Sequence, residues 1–284
     1  MAHLSTIKSS VPFVNFFDGF RTSHEIQKIE VMEQDDLAPL LDREALAAFR
    51  KRALTPEAPV ARGMAENGDV FFQHREACNQ HYNAVPEIVE NYMAEVSKIC
   101  GREYHLFNYY GAPDAERVII AMGSVTQAIE EAIDSLVAKG EKVGLVAVHL
   151  YRPFSAKHFL AAVPATAKRI AVLDRTKEPG ANGEPLYLDV KECFYGKENA
   201  PVIVGGRYGL ASKDTTPAQI LAVYENLALP EPKDHFTLGI VDDVTFTSLP
   251  LMPEVALGDP STFEAKFFGL GADGTVGANK NSVK

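Results

Sequence analysis

The pattern of apolar and polar positions changes character near residue 103. Before that point apolar residues fall in separate runs. PFVNFF at 12–17 reads as a strand-like segment, and Leu37, Leu40, Leu41, Leu46 and Phe49 recur at helical spacing across 36–54. The stretch 55–69 is rich in Pro, Gly and Ala and predicts a loop. Val85, Ile88, Val89, Met93, Val96 and Ile99 then form one face of a helix over 86–100, with Gly101 at the position where helices turn left-handed and stop.

From Arg117 onward the pattern becomes regular. Continuous apolar runs predict strands at 118–122, 143–148, 170–173 and 202–204. Between and after them, helical spacing predicts helices from Ser124 to near Gly140, then over 155–163, 185–194 and 217–227. Ala128, Ile129, Ala132, Ile133, Leu136 and Val137 supply the buried face of the first, and Ser124 with Gln127 has the spacing of a capping box. Strands alternating with helices across short turns predict an α/β fold with a doubly wound, mostly parallel sheet. It occupies 103–245, flanked by incomplete α/β segments at 1–102 and 246–284. The last segment opens with a proline-rich connector at 247–260, followed by a strand at 263–268 and a glycine-rich turn.

Composition narrows the functional classes. A net charge of −10 argues against nucleic acid as the main partner, because phosphate backbones are held by basic surfaces. No apolar run reaches the roughly 20 residues of a membrane span, and the first ten residues lack a signal-peptide pattern, so a cytoplasmic protein is expected. Cys78, Cys100 and Cys193 are far apart and form no CxxC, which predicts buried structural thiols rather than a metal or cluster site.

Several residues could carry chemistry. Gly269, Gly271 and Gly274 fit G-x-G-x-x-G, whose glycines let backbone N–H groups approach an anion near a helix start. On spacing alone the turn is either a nicotinamide-dinucleotide site or a ligand-free tight turn. His24 with Glu25 is a candidate acid/base pair, though neighbouring side chains usually point apart. His74, Cys78 and His81 share a helical face, but no carboxylate completes a metal set, so exposed helix positions are the expected role. The DRTKE run at 174–178 follows a strand and stands at the sheet's C-terminal edge, where open α/β folds bind ligands. Arg175 and Lys177 there, and Arg207 in a second loop, are expected to make inter-domain contacts, with anion binding the other reading of Arg207.

Four stretches, in order, resemble one family: FFDGFRTSHE at 16–25, LDRTKEPG at 173–180, GGRYGL at 205–210 and FFGLGADGTVGANKNS at 267–282. These are similar to internal segments of pyruvate:ferredoxin (flavodoxin) oxidoreductases. The resemblance implies that 1–102 is the tail of a thiamine-facing first domain. It makes 103–245 a domain like the C-terminal domain of transketolases, and 246–284 the start of a third domain contacting coenzyme A. It turns Gly269, Leu270, Gly271, Ala272, Asp273, Gly274 and Thr275 into coenzyme A contacts, with alanine at 272 where serine is more usual.

The family decarboxylates pyruvate oxidatively to acetyl-CoA and carbon dioxide. It uses thiamine diphosphate with Mg2+ and [4Fe-4S] clusters, and passes electrons to ferredoxin or flavodoxin; the parent enzyme is expected to be a homodimer. The diphosphate signature, GDG followed by paired asparagines, is missing here, and ENGD at 66–69 only imitates it. The chain is therefore expected to be an inactive fragment holding no cofactor of its own and part of a coenzyme A site. Two alternatives are a short natural subunit that assembles with partners, and a nicotinamide-dependent dehydrogenase.

Overall fold

A computed structural model describes residues 1–26, 28–253, 261, 263 and 265–283. The chain divides into two compact units, Met1–Glu254 and Val255–Lys284.

The first unit is built on six strands: β1 (Phe107–Gly111), β2 (Arg117–Ala121), β3 (Val143–Val148), β4 (Arg169–Asp174), β5 (Val202–Arg207) and β6 (Phe236–Thr237). Their order is β1-β3-β2-β4-β5-β6. All neighbours pair in parallel except β1, which runs antiparallel to β3 at the edge. The four expected strands are β2 to β5. Both edge strands escaped the sequence reading, because FNYYG mixes polar with aromatic residues and β6 is only two residues long.

The helices of this unit are α1 (Ala2–Ser9), α2 (Arg21–His24), α3 (Gln34–Leu37), α4 (Arg43–Lys51), α5 (Phe71–Ala77), α6 (Asn79–Cys100), α7 (Val125–Val137), α8 (Ala156–Ala162), α9 (Pro185–Phe194) and α10 (Pro217–Ala228). Strand side chains alternate between faces. Ile119 and Leu145 point into one core with Ile129 and Ile133 of α7 and Val223 and Leu227 of α10. Val118, Ile120 and Val146 point into the other, with Val85, Val89 and Met93 of α6, Phe159 of α8 and Leu186 of α9. Because helices cover both faces, central strands such as VGLVAV are buried at every position, which is why they read as unbroken apolar runs.

Several expectations, most of them about the N-terminal third, are corrected. Residues 12–17 form no strand; Val11 and Phe13 turn toward the core, while Val14, Phe16 and Phe17 stay exposed. The helix expected over 36–54 is broken. Pro39 sits in a 3-10 turn at Ala38–Leu40, and Asp42 restarts the chain as the N-cap of α4, accepting from the Ala45 amide at 2.8 Å. Its apolar stripe buries nothing fully: Leu37, Leu40, Leu41 and Leu46 are half-buried and Phe49 is exposed. The helix expected at 86–100 begins seven residues earlier, at Asn79, and runs on through Pro86 to the left-handed Gly101. Ser124 makes no side-chain cap, so no capping box forms. All three cysteines are free and only half-buried.

In the second unit, α11 (Thr275–Val283) follows the glycine-rich turn. The strand expected at 263–268 is not formed: residues 263 and 265–268 are irregular, and Glu264 lies outside the described residues. Residues 254–260 of the expected connector also lie outside them.

Candidate functional site

Sheet order reverses between β2 and β4, since β2 leads to β3 on one side and β3 crosses back to β4 on the other. At such a switch point the turns after the two strands diverge and leave a crevice where ligands usually bind. Gly123 and Ser124 follow β2, Arg175 follows β4, and Tyr208 and Gly209 follow β5.

Here the chain fills that crevice itself. Asp18 reaches in from the N-terminal segment and accepts the Ser124 amide at 2.6 Å and the Arg175 guanidinium at 2.9 Å. Arg175 also donates through Nε to the Gly209 carbonyl at 2.9 Å. Gly123 has φ +82, and a Cβ there would lie 2.7 Å from Asp18 Oδ2, so both its conformation and the approach of the carboxylate require glycine. Burial works to raise the Asp18 carboxyl, but the Ser124 amide and Arg175 outweigh it and hold the group below the ordinary carboxylate range. Farther out, Arg21 donates to the Ser212 carbonyl at 2.7 Å and pairs with Asp214 at 2.5 Å. Three of the four quoted stretches, 16–25, 173–180 and 205–210, therefore meet at one edge.

An open depression of about 430 Å³ lies over this junction, walled by Phe17, Phe20, Arg175 and Ala211. Phe20, Ala211 and Ser212 at its rim all have positive φ, near +58, +54 and +58, unusual for residues with a side chain.

Behind the edge lies a buried polar cluster. Asp174 ends β4 and accepts the Leu186 and Tyr187 amides at 3.1 and 3.0 Å, capping α9 from outside. Burial pushes its carboxyl up to about 6 against the pull of those two amides, with Glu184 and Asp189 adding to the rise. Glu184 is 3% exposed; one oxygen lies 3.6 Å from Arg207, and the other has no hydrogen-bond partner within the described protein. Arg207 itself donates to the His235 carbonyl at 2.9 Å. Lys177, by contrast, is exposed.

The remaining candidates separate. His24 Nδ1 contacts the Phe20 carbonyl of its own turn. His74 pairs with Glu66 at 2.9 Å, and Cys78 Sγ reaches only the His74 carbonyl. Among the described residues no three His, Cys, Asp or Glu side chains come together as metal ligands.

In the second unit, Asp273 accepts the Leu270 amide at 3.2 Å and the Thr275 amide at 2.9 Å. The Thr275 hydrogen bonds are the main cause that lowers its pKa. Gly271 and Gly274 have φ +79 and +84 with nothing near a Cβ, so conformation rather than crowding demands glycine at both.

The role of Asp18 was missed by sequence reasoning. Its signal lay in the ordered pairing of the 16–25 and 173–180 stretches, but nothing in either string shows that Asp18 and Arg175 meet.

Two family models match the chain. "Pyruvate flavodoxin/ferredoxin oxidoreductase, thiamine diP-bdg" covers residues 1–94, and "Pyruvate:ferredoxin oxidoreductase core domain II" covers 115–220. Over its whole length the chain is 61% identical to a pyruvate-flavodoxin oxidoreductase of Enterobacter agglomerans, covering 24% of that protein. It is 58% identical to a pyruvate:ferredoxin oxidoreductase of Moorella thermoacetica, again covering 24%. The chain thus spans about a quarter of the length of the curated relatives it matches. Among solved structures, a 2-oxoglutarate:ferredoxin oxidoreductase from Magnetococcus marinus aligns with TM-score 0.39 and 19% identity, over 61% of this chain and 25% of that one. No helix among the described residues is long and apolar enough to cross a membrane.

Proposed function

Because the chain belongs to the pyruvate:ferredoxin and pyruvate-flavodoxin oxidoreductase family, we propose that it works as a scaffold within a larger enzyme and catalyses nothing alone. In this reading the whole enzyme, a homodimer in the cytoplasm, converts pyruvate and coenzyme A to acetyl-CoA and carbon dioxide. Electrons leave to ferredoxin or flavodoxin. Thiamine diphosphate, with its Mg2+, and the [4Fe-4S] clusters supply the decarboxylation and redox chemistry from other parts of that enzyme.

The observation that carries this reading is the closed switch point. The crevice where an open α/β sheet would receive a ligand is occupied by Asp18, held by Ser124 and Arg175. The edge is therefore a seam between the two family-matched stretches. Arg175 fastens that seam from within. Arg207 extends the same edge toward the rest of the enzyme.

The chain's share of substrate handling falls to residues 269–275. Asp273 is turned into the glycine-rich turn, bound to the Leu270 and Thr275 amides. Its charge thereby organises the start of α11 and is kept on the inner side of the turn. Gly269, Gly271, Ala272 and Gly274 leave the outer side without bulky side chains, so a coenzyme A phosphate can approach the backbone closely.

The test is an assay of pyruvate- and coenzyme A-dependent reduction of methyl viologen, run on the 284-residue chain and on the complete enzyme that contains it. The complete enzyme should reduce the dye and the chain should not. Turnover by the chain alone overturns the scaffold reading.

A further inference from the structure

A second cleft, of about 240 Å³, opens beside β5 and β6 on the same edge of the first unit. Three cations line it: Lys177, Arg207 and Lys213. In a chain of net charge −10 such a convergence runs against the overall balance. Of the three, only Arg207 is engaged, with Glu184 and the His235 carbonyl. Lys177 and Lys213 are exposed, and neither ammonium has an ion-pair or hydrogen-bond partner among the described residues.

The rest of the lining is suited to a small molecule. Tyr208 forms a buried floor, and Leu210 and Ile240 offer apolar walls. Asp242 also lines the cleft, but its carboxylate accepts the Val244, Thr245 and Thr247 amides and both threonine hydroxyls. Those donors hold its charge within the loop, and Lys177 and Lys213 remain without an ion-pair partner among the described residues. The volume suits a phosphate on a compact apolar body better than a folded partner, which needs a far wider contact.

We propose that this cleft binds a phosphate group carried by a small organic molecule, with Lys177 and Lys213 on the phosphate and Leu210 and Ile240 against the body. Ammonium groups suit this role as mobile point charges that adapt to a phosphate's oxygens. The inference does not depend on the scaffold reading, because binding is measured on this chain and turnover is not.

Isothermal titration of the full 284-residue chain with inorganic phosphate and with adenosine 5′-monophosphate tests it. Saturable binding of the nucleotide is expected, at least tenfold tighter than inorganic phosphate and weakened as salt rises. The double variant Lys177→Gln, Lys213→Gln should lose tenfold or more in affinity. Both residues are exposed, and unchanged thermal unfolding of the variant would show that the loss is local. Leu210→Ser should weaken the nucleotide and leave inorganic phosphate unaffected. Equal binding of the two probes points to free phosphate as the ligand and overturns the organic body. Absence of saturable binding, or undiminished binding by the double variant, overturns the site.

Discussion

The sheet layer and the segment from residue 12 to residue 72 are both well stocked with large apolar side chains, yet they dispose of them in opposite ways. In the sheet layer Ile119, Leu145, Phe159 and Ile170 are completely buried. In the earlier segment Val14, Phe17, Ile29 and Phe72 remain mostly exposed, Val14 at 84%. The difference lies in the backbone. Strands of a parallel sheet pair their amides on both sides, so both faces are free to bury side chains. Among its described residues the earlier segment has short helices and turns, and its side chains have no continuous surface to pack against. Apolar content alone buries nothing; it must come with a period that a hydrogen-bonded element can follow.

The comparison can be broken most severely at Phe159. Its ring, itself completely buried, packs edge-on to Phe107 and Phe194, at 5.5 and 6.0 Å between centroids. Phe159→Ala should cost about 3–5 kcal/mol in urea unfolding followed by circular dichroism. A cost below about 1 kcal/mol would mean that the core packs loosely enough to refill the space.

Next comes Asp174, where the sheet layer buries a charge. Its carboxyl holds a proton in the folded chain up to about pH 6, against an ordinary 3.8 when unfolded. The folded state therefore binds the extra proton between those values. The stability linked to Asp174 is fully present below about pH 4 and is lost as pH rises through about 6, by about 3 kcal/mol in all. Asp174→Asn should remove this contribution. Subtracting its stability-versus-pH curve from that of the natural chain should leave a slope confined to about pH 4–6; parallel curves would show that the Asp174 carboxyl titrates alike in the folded and unfolded chain.

A smaller effect is expected where the two regions meet. A double-mutant cycle with Asp18→Asn and Arg175→Gln should give a coupling of about 1 kcal/mol, since the pair is only partly screened from solvent. Limited proteolysis should then cut the singly and doubly substituted chains faster within residues 12–25. Zero coupling would mean that the segment is held by other contacts. The smallest change is expected at Phe72, 71% exposed, where replacement by alanine should shift stability by less than about 0.5 kcal/mol in the same urea assay.

How legible each region was follows from the same physics. The helix over 185–194 reads correctly to the residue, because Pro185 marks its first turn and its apolar positions keep one period. The central strands read correctly because burial on two faces leaves an unbroken apolar run. The false strand at 12–17 shows the limit: PFVNFF has strand-forming aromatics but no neighbouring strand to bond with, and β-structure exists only through partners. The candidate site divides likewise. Asp174, Arg175, Lys177 and Arg207 could be placed at the sheet edge from sequence alone. Asp18 could not be assigned to Arg175, 157 positions away, nor Lys213 to the cleft of Lys177, because neither separation follows any local period.

By itself the sequence determined the alternation of the four central strands with α7 to α10, the glycine positions that require left-handed backbone, and the family through its ordered motifs. These depend on local periodicity and on residue chemistry, which a linear string carries directly. Only the tertiary structure decided that the switch point is closed by the chain's own carboxylate, and that two unpaired lysines share a cleft. Both depend on which distant segments the sheet's crossovers bring to one edge, and that is a property of the assembled backbone.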